Sequence, residues 1–175
     1  MPNNSNDLLN QYREYMLECI AIAKRADDGV HPPYVGCLIL NKEGEKVSEG
    51  WRHLVDRSYL VMHAERHAIQ QARESIKGGT LITTLEPCKA QRNTDRSKRR
   101  NLILRPCSRL IVDEGIKRVV YGRADPSDCG GAGTLRCNGI EVVYLNELDR
   151  FIEQELFENP MRAIHQRRSA LQKDF

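Results

Sequence analysis

Three short stretches carry side chains that could do chemistry together: His63-Ala64-Glu65, Thr84-Leu85-Glu86-Pro87-Cys88 and Pro106-Cys107. An imidazole and two thiolates form a donor set that zinc favours, and three protein ligands leave the fourth tetrahedral position to water. Zinc brings the pKa of such a water from about 15.7 to near 7, which makes a nucleophile at neutral pH. His63, Cys88 and Cys107 are therefore the candidate metal ligands, with Zn2+ as the candidate cofactor. Glu65 is not needed as a ligand, and its place two residues after His63 suits a proton carrier. It would move a proton from the water to a ring nitrogen and then to departing ammonia, so the chemistry suggested is hydrolytic deamination of an amino-substituted heterocycle. Cys129 and Cys137 stand as substitutes for Cys107, but both lie in or beside a later glycine-rich stretch. His67 follows His63 by one helical turn; the paired-histidine zinc pattern needs Glu directly after the first His, and Ala64 stands there, so His67 reads as a helix-face residue.

Such ligands need rigid elements to present them, and the chain supplies an alternating α/β order. Leu8, Leu9, Tyr12, Tyr15, Met16, Cys19, Ile22 and Ala23 recur at helical spacing, which predicts an amphipathic helix from about Asp7 to Arg25. Tyr34 to Leu40 reads as a strand that turns through residues 41–45 into a second strand at Lys46 to Trp51. Alanines at 64, 68 and 72 with Ile69 and Ile76 predict a helix from Met62 to Lys77, closed by Gly78-Gly79, with small side chains that allow close approach to a sheet. Strands are expected at 80–85, 118–122 and 140–145, and a short helix at Cys107 to Glu114 stopped by Gly115. A turn or two of crossover helix is expected within Asp125 to Asn138. Each candidate ligand then sits where a strand or loop gives way to helix, and helix N-termini favour thiolates at Cys88 and Cys107. Helices at about 146–173 complete the chain, with Asn146 as an N-cap and Pro160 interrupting the helical pattern.

The 175 residues and their 40% hydrophobic content suit one compact domain, with no run near the roughly 20 apolar residues that a bilayer span demands. The polar opening lacks the order of a secretion signal, so the expectation is a cytoplasmic protein without membrane contact, whose six cysteines are thiols. Charge is local: the stretch 89–106 carries Lys89, Arg92, Arg96, Lys98, Arg99, Arg100 and Arg105 against Asp95, a net +6, while the remainder sums to −3. That stretch is either a solvated loop or a phosphate-meeting segment beside a presumed ligand.

These motifs resemble the zinc-dependent cytidine and deoxycytidylate deaminase superfamily, and within it most resemble the deaminase domain of the riboflavin-biosynthesis deaminase/reductase. The resemblance covers most of the chain: residues 33–40, Glu49-Gly50-Trp51, His63-Ala64-Glu65, Thr84 to Cys88, Pro106-Cys107, Gly115 to Gly122, Asp125-Pro126 and Gly139 to Val142. It implies a three-layer α/β/α fold with a five-stranded mixed sheet, zinc in the active site, and a homo-oligomer, dimer or tetramer. One deaminase domain over 1–175 with a basic insert at 89–106 is the resulting expectation. The departures fall on loops that would face substrate. Eighteen residues separate the two candidate cysteines, a longer insert than that family carries; His31-Pro32-Pro33 replaces its Asn between prolines; and Arg52 stands where it places histidine, with His53 one step late. His31, Trp51, Arg52 and His53 are candidate substrate contacts, and Glu86 either bonds a substrate edge or closes a strand.

The reading is a zinc-dependent deaminase of a free pyrimidine-like nucleotide, with the riboflavin-pathway diaminopyrimidine phosphate as the specific candidate. Two alternatives stand beside it. A base deaminase acting on tRNA or single-stranded DNA or RNA would use the basic insert to track phosphates, although that insert lacks aromatic residues for stacking. A non-catalytic, zinc-stabilised binding module would have no use for Glu65.

Overall fold

The computed structural model describes residues 5–26, 30–55, 61–89, 105–127 and 129–171. Its elements are α1 (Ser5–Ala23), β1 (Gly36–Leu40), β2 (Lys46–Trp51), β3 (His53–Leu54), β4 (Val61–Met62), α2 (Ala64–Gln71) and β5 (Thr80–Leu85). They continue as α3 (Cys107–Asp113), β6 (Arg118–Arg123), α4 (Ala132–Cys137), β7 (Glu141–Tyr144), α5 (Asp149–Glu153) and α6 (Asn159–Leu171). The strands form a five-stranded mixed sheet in the order β2-β1-β5-β6-β7, and β3 pairs with β4 in a small ribbon. β1 runs antiparallel to β2 and β5, whereas β6 runs parallel to β5 and β7. Trp51 pairs with Gly36, Cys37 with Thr83, and Leu85 with Arg123. The end of β2, the start of β1 and the carboxyl ends of β5 and β6 therefore share one edge of the sheet, where crossover topology opens a crevice for ligands.

Period-two alternation sorts the apolar side chains into two cores. Leu38, Leu40, Ile82 and Val120 face Tyr12, Met16, Cys19 and Ile20 of α1 together with Ile152 and Leu156. Cys37, Ile39, Leu81 and Val119 face Ala64 and Ala68 of α2, Ile111 of α3 and Leu135 of α4. Both faces of the sheet are covered, which accounts for the uniformly buried β1 and gives three layers, helix, sheet and helix. α2 lies close because Gly50 meets it with no side chain: a Cβ there would stand 2.4 Å from the Ala68 nitrogen. Gly115 closes the α3 region at φ +69°, a conformation that favours glycine. None of the described helices is long and apolar enough to cross a membrane.

Two sequence expectations change. The helix expected over Met62 to Lys77 is only Ala64–Gln71, with Met62 in β4 and Ala72 extended at ψ 122°. Ile76 still enters the core beside Ile116 and Leu81, so burial continues where helix does not. Pro160 does not interrupt the C-terminal helix, because a π-turn at Gln154–Glu158 precedes it and the helix runs on to Leu171. A proline cannot donate to the carbonyl four residues back. That carbonyl, Leu156 O, instead accepts the Tyr34 backbone N–H at 2.8 Å, which ties the helix to the segment entering β1.

Candidate active site

His63 is the residue preceding α2, Cys107 opens α3, and Cys88 follows β5 in an isolated bridge to Gly130. Their ligand atoms all lie within 4.8 Å of one another. His63 Nδ1 is 3.7 Å from Cys88 Sγ and 3.5 Å from Cys107 Sγ. Tetrahedral zinc, with Zn–S about 2.3 Å and Zn–N about 2.05 Å, requires N···S separations of about 3.6 Å. The donor set thus fits zinc in both type and spacing. Cys107, rather than Cys129 or Cys137, completes the cluster among the described residues. All six cysteines are free thiols.

The support given to Cys88 differs from the expected one. No helix begins at Cys88 among the described residues; instead the backbone N–H of Cys107, at the start of α3, donates to Cys88 Sγ at 3.4 Å. A hydrogen bond from the Cys107 side-chain thiol and then the neighbouring His63 pull the Cys88 thiol well below the ordinary thiol range, against the opposing effect of burial, and the Cys107 backbone N–H adds to this. The same shared proton pushes Cys107 up. Burial disfavours the His63 imidazolium, but hydrogen bonding to Cys88 and the charge of Glu65 outweigh it and raise its pKa. Glu65, 4% exposed, is raised to about 7, chiefly by burial. A carboxyl held near neutrality can both take and return a proton at working pH.

His63, Cys88 and Glu65 open onto a cleft of about 280 Å³ lined also by Pro33, Val35, Arg52, Ala64, Leu85, Glu86 and residues 125–127, whereas Cys107 is buried and does not line it. Of the five candidate substrate contacts, Arg52 and Glu86 line it, and His31, Trp51 and His53 do not. His31 contributes its carbonyl to Arg52 Nη1 while its side chain is exposed. Trp51 and His53 turn to His67: ring centroids lie 4.7 and 4.4 Å from it, and the Trp51 backbone N–H donates to His67 Nδ1 at 3.2 Å. This packing cluster explains His67 without a metal. Glu86 is a brace, accepting the backbone N–H groups of Asp125 at 3.1 Å and Ala132 at 2.9 Å. Gly130 leaves room for it, since a Cβ there would fall 2.4 Å from the carboxylate. Sequence reasoning assigned no site role to Asp125, Pro126 or Ser127, although Asp125-Pro126 was among the motifs that carried the resemblance. The basic insert, apart from Lys89, Arg105 and Pro106, lies outside the described residues.

Comparison with known proteins agrees with this geometry. The family model described as the cytidine and deoxycytidylate deaminase zinc-binding region matches residues 9–123. The riboflavin biosynthesis protein RibD of Actinobacillus pleuropneumoniae is 37% identical over 147 residues, covering 82% of this chain and 35% of the relative. A diaminohydroxyphosphoribosylamino-pyrimidine deaminase of Buchnera aphidicola is 35% identical over 134 residues, covering 74% of this chain and 81% of the relative. A solved structure from Thermotoga maritima is described as a diaminohydroxyphosphoribosylaminopyrimidine deaminase/5-amino-6-(5-phosphoribosylamino)uracil reductase. It superposes with a TM-score of 0.68 at 33% identity, covering 84% of this chain and 39% of that one. The chain spans about a third of the length of the RibD relatives it matches. By motif, by sheet order and by the spacing of its ligand atoms, the chain belongs to the cytidine and deoxycytidylate deaminase zinc-binding family.

Proposed function

We propose that the chain is a hydrolytic deaminase of an amino-substituted pyrimidine bearing a phosphoribosyl group, the substrate class for which its Buchnera and Thermotoga relatives are named. The observation that carries the reading is a zinc-compatible His63, Cys88 and Cys107 cluster, of which His63 and Cys88 share one cleft with the buried carboxyl of Glu65. When bound, zinc supplies Lewis-acid activation of water for attack on the amino-bearing ring carbon. Glu65 would take one proton from the water and pass it to the adjacent ring nitrogen, then take the second from the hydroxyl added to the ring carbon and give it to the amino group, so that the carbonyl forms as the C–N bond breaks and ammonia leaves. Arg52 and Glu86 bound the space in which the ring is held.

A binding module would have no use for a buried carboxyl that lines the cleft beside His63 and Cys88. A nucleic-acid deaminase would track phosphates through the insert at 89–106, which carries no aromatic residue on which bases could stack, so the free nucleotide is the reading carried forward. A single domain, a cytoplasmic setting and a homo-oligomer, dimer or tetramer, belong to the same proposal. Free thiols at Cys88 and Cys107 suit a reducing compartment, and exposed Leu17, Phe151 and Phe157 are apolar surface that subunit contacts would cover. Glu65→Gln keeps the volume of the side chain and removes its proton transfer. Zinc content measured by atomic absorption is expected to stay intact while ammonia release falls by about 10²- to 10⁴-fold. Full activity in that variant removes the mechanism.

A further inference from the structure

Arg52 is a cation in a place that costs it hydration. It follows β2 and lines the cleft together with His63 and Glu65, and burial lowers its pKa from the ordinary guanidinium value. Its Nη1 donates to two neutral acceptors, the backbone carbonyls of His31 and of Pro33, the latter at 2.9 Å. Among the described residues no carboxylate pairs with it, and Nε and Nη2 make no hydrogen bond. A desolvated charge held by neutral carbonyls is compensated only in part, and a guanidinium offers a planar fork of donors suited to phosphate.

Of the three carboxylates that line the cleft, Glu65 is the buried proton carrier on α2, and Glu86 and Asp125 stand farther along the sheet edge. Asp125 follows β6, and β1 and β5 lie between β2 and β6 in the sheet order. Asp125 Oδ1 already accepts the Ser127 backbone N–H at 2.8 Å and its hydroxyl at 2.6 Å, and Glu86 is held by two backbone N–H groups. Beside the buried Glu65, the cleft thus carries a cation after β2 and two carboxylates, held by backbone N–H groups, after β5 and β6. An anionic substituent is repelled from one side and drawn to the other.

We propose that Arg52 is a specificity-determining residue that pairs with the phosphate of the substrate and so orients the ring over the His63, Cys88 and Cys107 cluster. The assignment rests on the deaminase reading and deepens it, by placing the phosphate-bearing end of the substrate on the β2 side and naming the residue that holds it. It also gives a role to the arginine that stands where the resembled family carries histidine.

The test uses the zinc-loaded full chain. Ammonia release is followed with a phosphoribosyl aminopyrimidine and with its dephosphorylated counterpart, in the wild type, Arg52→Gln and Arg52→Lys. The ratio of kcat/KM for the phosphorylated over the dephosphorylated compound is expected to fall by about 10- to 100-fold in Arg52→Gln, mainly through KM, since a charge-assisted bond is lost. Arg52→Lys, which keeps the charge, recovers a large part of that ratio. An equal loss on both compounds makes Arg52 a mere clamp on the His31 and Pro33 carbonyls and overturns the proposal, as does an unchanged ratio. Calorimetric binding of inorganic phosphate, compared between the wild type and Arg52→Gln, separates this assignment from the activity. If no compound is deaminated the deaminase reading fails, while a phosphate affinity at least about 10-fold weaker in Arg52→Gln still supports the assignment and an equal affinity overturns it.

Discussion

Gly50 offers a direct test of how the sheet sets the position of the chemistry. A Cβ placed on Gly50 would lie 2.4 Å from the Ala68 nitrogen and 2.5 Å from the Ala64 oxygen, whereas ordinary contact begins at 3.4 Å. Both obstacles are backbone atoms of α2, so no side-chain rotation relieves them. Gly50→Ala therefore drives α2 outward by about 1 Å, and α2 carries Glu65 in its first turn with His63 immediately before it. Overpacking of this kind costs about 1–3 kcal/mol of stability. A 1 Å displacement of reacting groups costs about 10²-fold in rate. The assay is kcat/KM by ammonia release beside urea unfolding of the same preparation. Gly133→Ala serves as the control, because nothing lies within 4 Å of a Cβ there. Its place in α4 predicts a neutral change or a gain of up to about 1 kcal/mol. A Gly50→Ala enzyme with wild-type stability and rate would refute the idea that the bare approach of α2 to β2 positions His63 and Glu65.

Burial raises Glu65 from 4.5 to about 7 in the metal-free chain, a difference of about 3 kcal/mol at 1.36 kcal/mol per pH unit. Because the folded value lies above the unfolded one, this contribution to stability is complete below pH 4.5 and is lost as pH rises through 7. Urea titrations of chelator-treated wild type and Glu65→Gln are thus expected to diverge by up to about 3 kcal/mol between pH 4.5 and 8, the wild type losing ground; parallel curves contradict the burial argument. Arg123, 15% exposed at its side chain, binds Asp149 and Glu153 at 2.9 Å each and so joins β6 to α5. Arg123→Ala is expected to cost about 2 kcal/mol in thermal unfolding, and an unchanged melting temperature would assign those contacts no net stabilisation.

Local pattern sufficed wherever one face of an element decides its neighbours. The β-rich run from Tyr34 to Leu40, ended by the turn at 41–45, foretold β1, and the helical stripe from Leu8 to Ala23 foretold α1. The donor types of His63, Cys88 and Cys107 named a metal before any distance was known. Period said less about where an element stops. Ala72 to Ile76 keeps a helical spacing, yet the chain leaves the helix after Gln71 and still buries Ile76, because the core rewards burial whatever the backbone. Pro160 read as a break, and the π-turn with the Tyr34 N–H on Leu156 O absorbed it through a contact over a hundred residues away in sequence.

The sharpest division falls among Trp51, Arg52 and His53. They are adjacent, and sequence alone offered all three to the substrate. Alternation along the chain sends Trp51 and His53 to His67 and leaves Arg52 at the cleft. Which side of that alternation meets the metal cluster depends on α2 lying over β2 and on Thr83 pairing with Cys37, both long-range contacts. Residue identity determined the chemistry available to this chain. Strand order and helix packing determined which residues reach the site, because proximity between distant segments is a property of the folded whole.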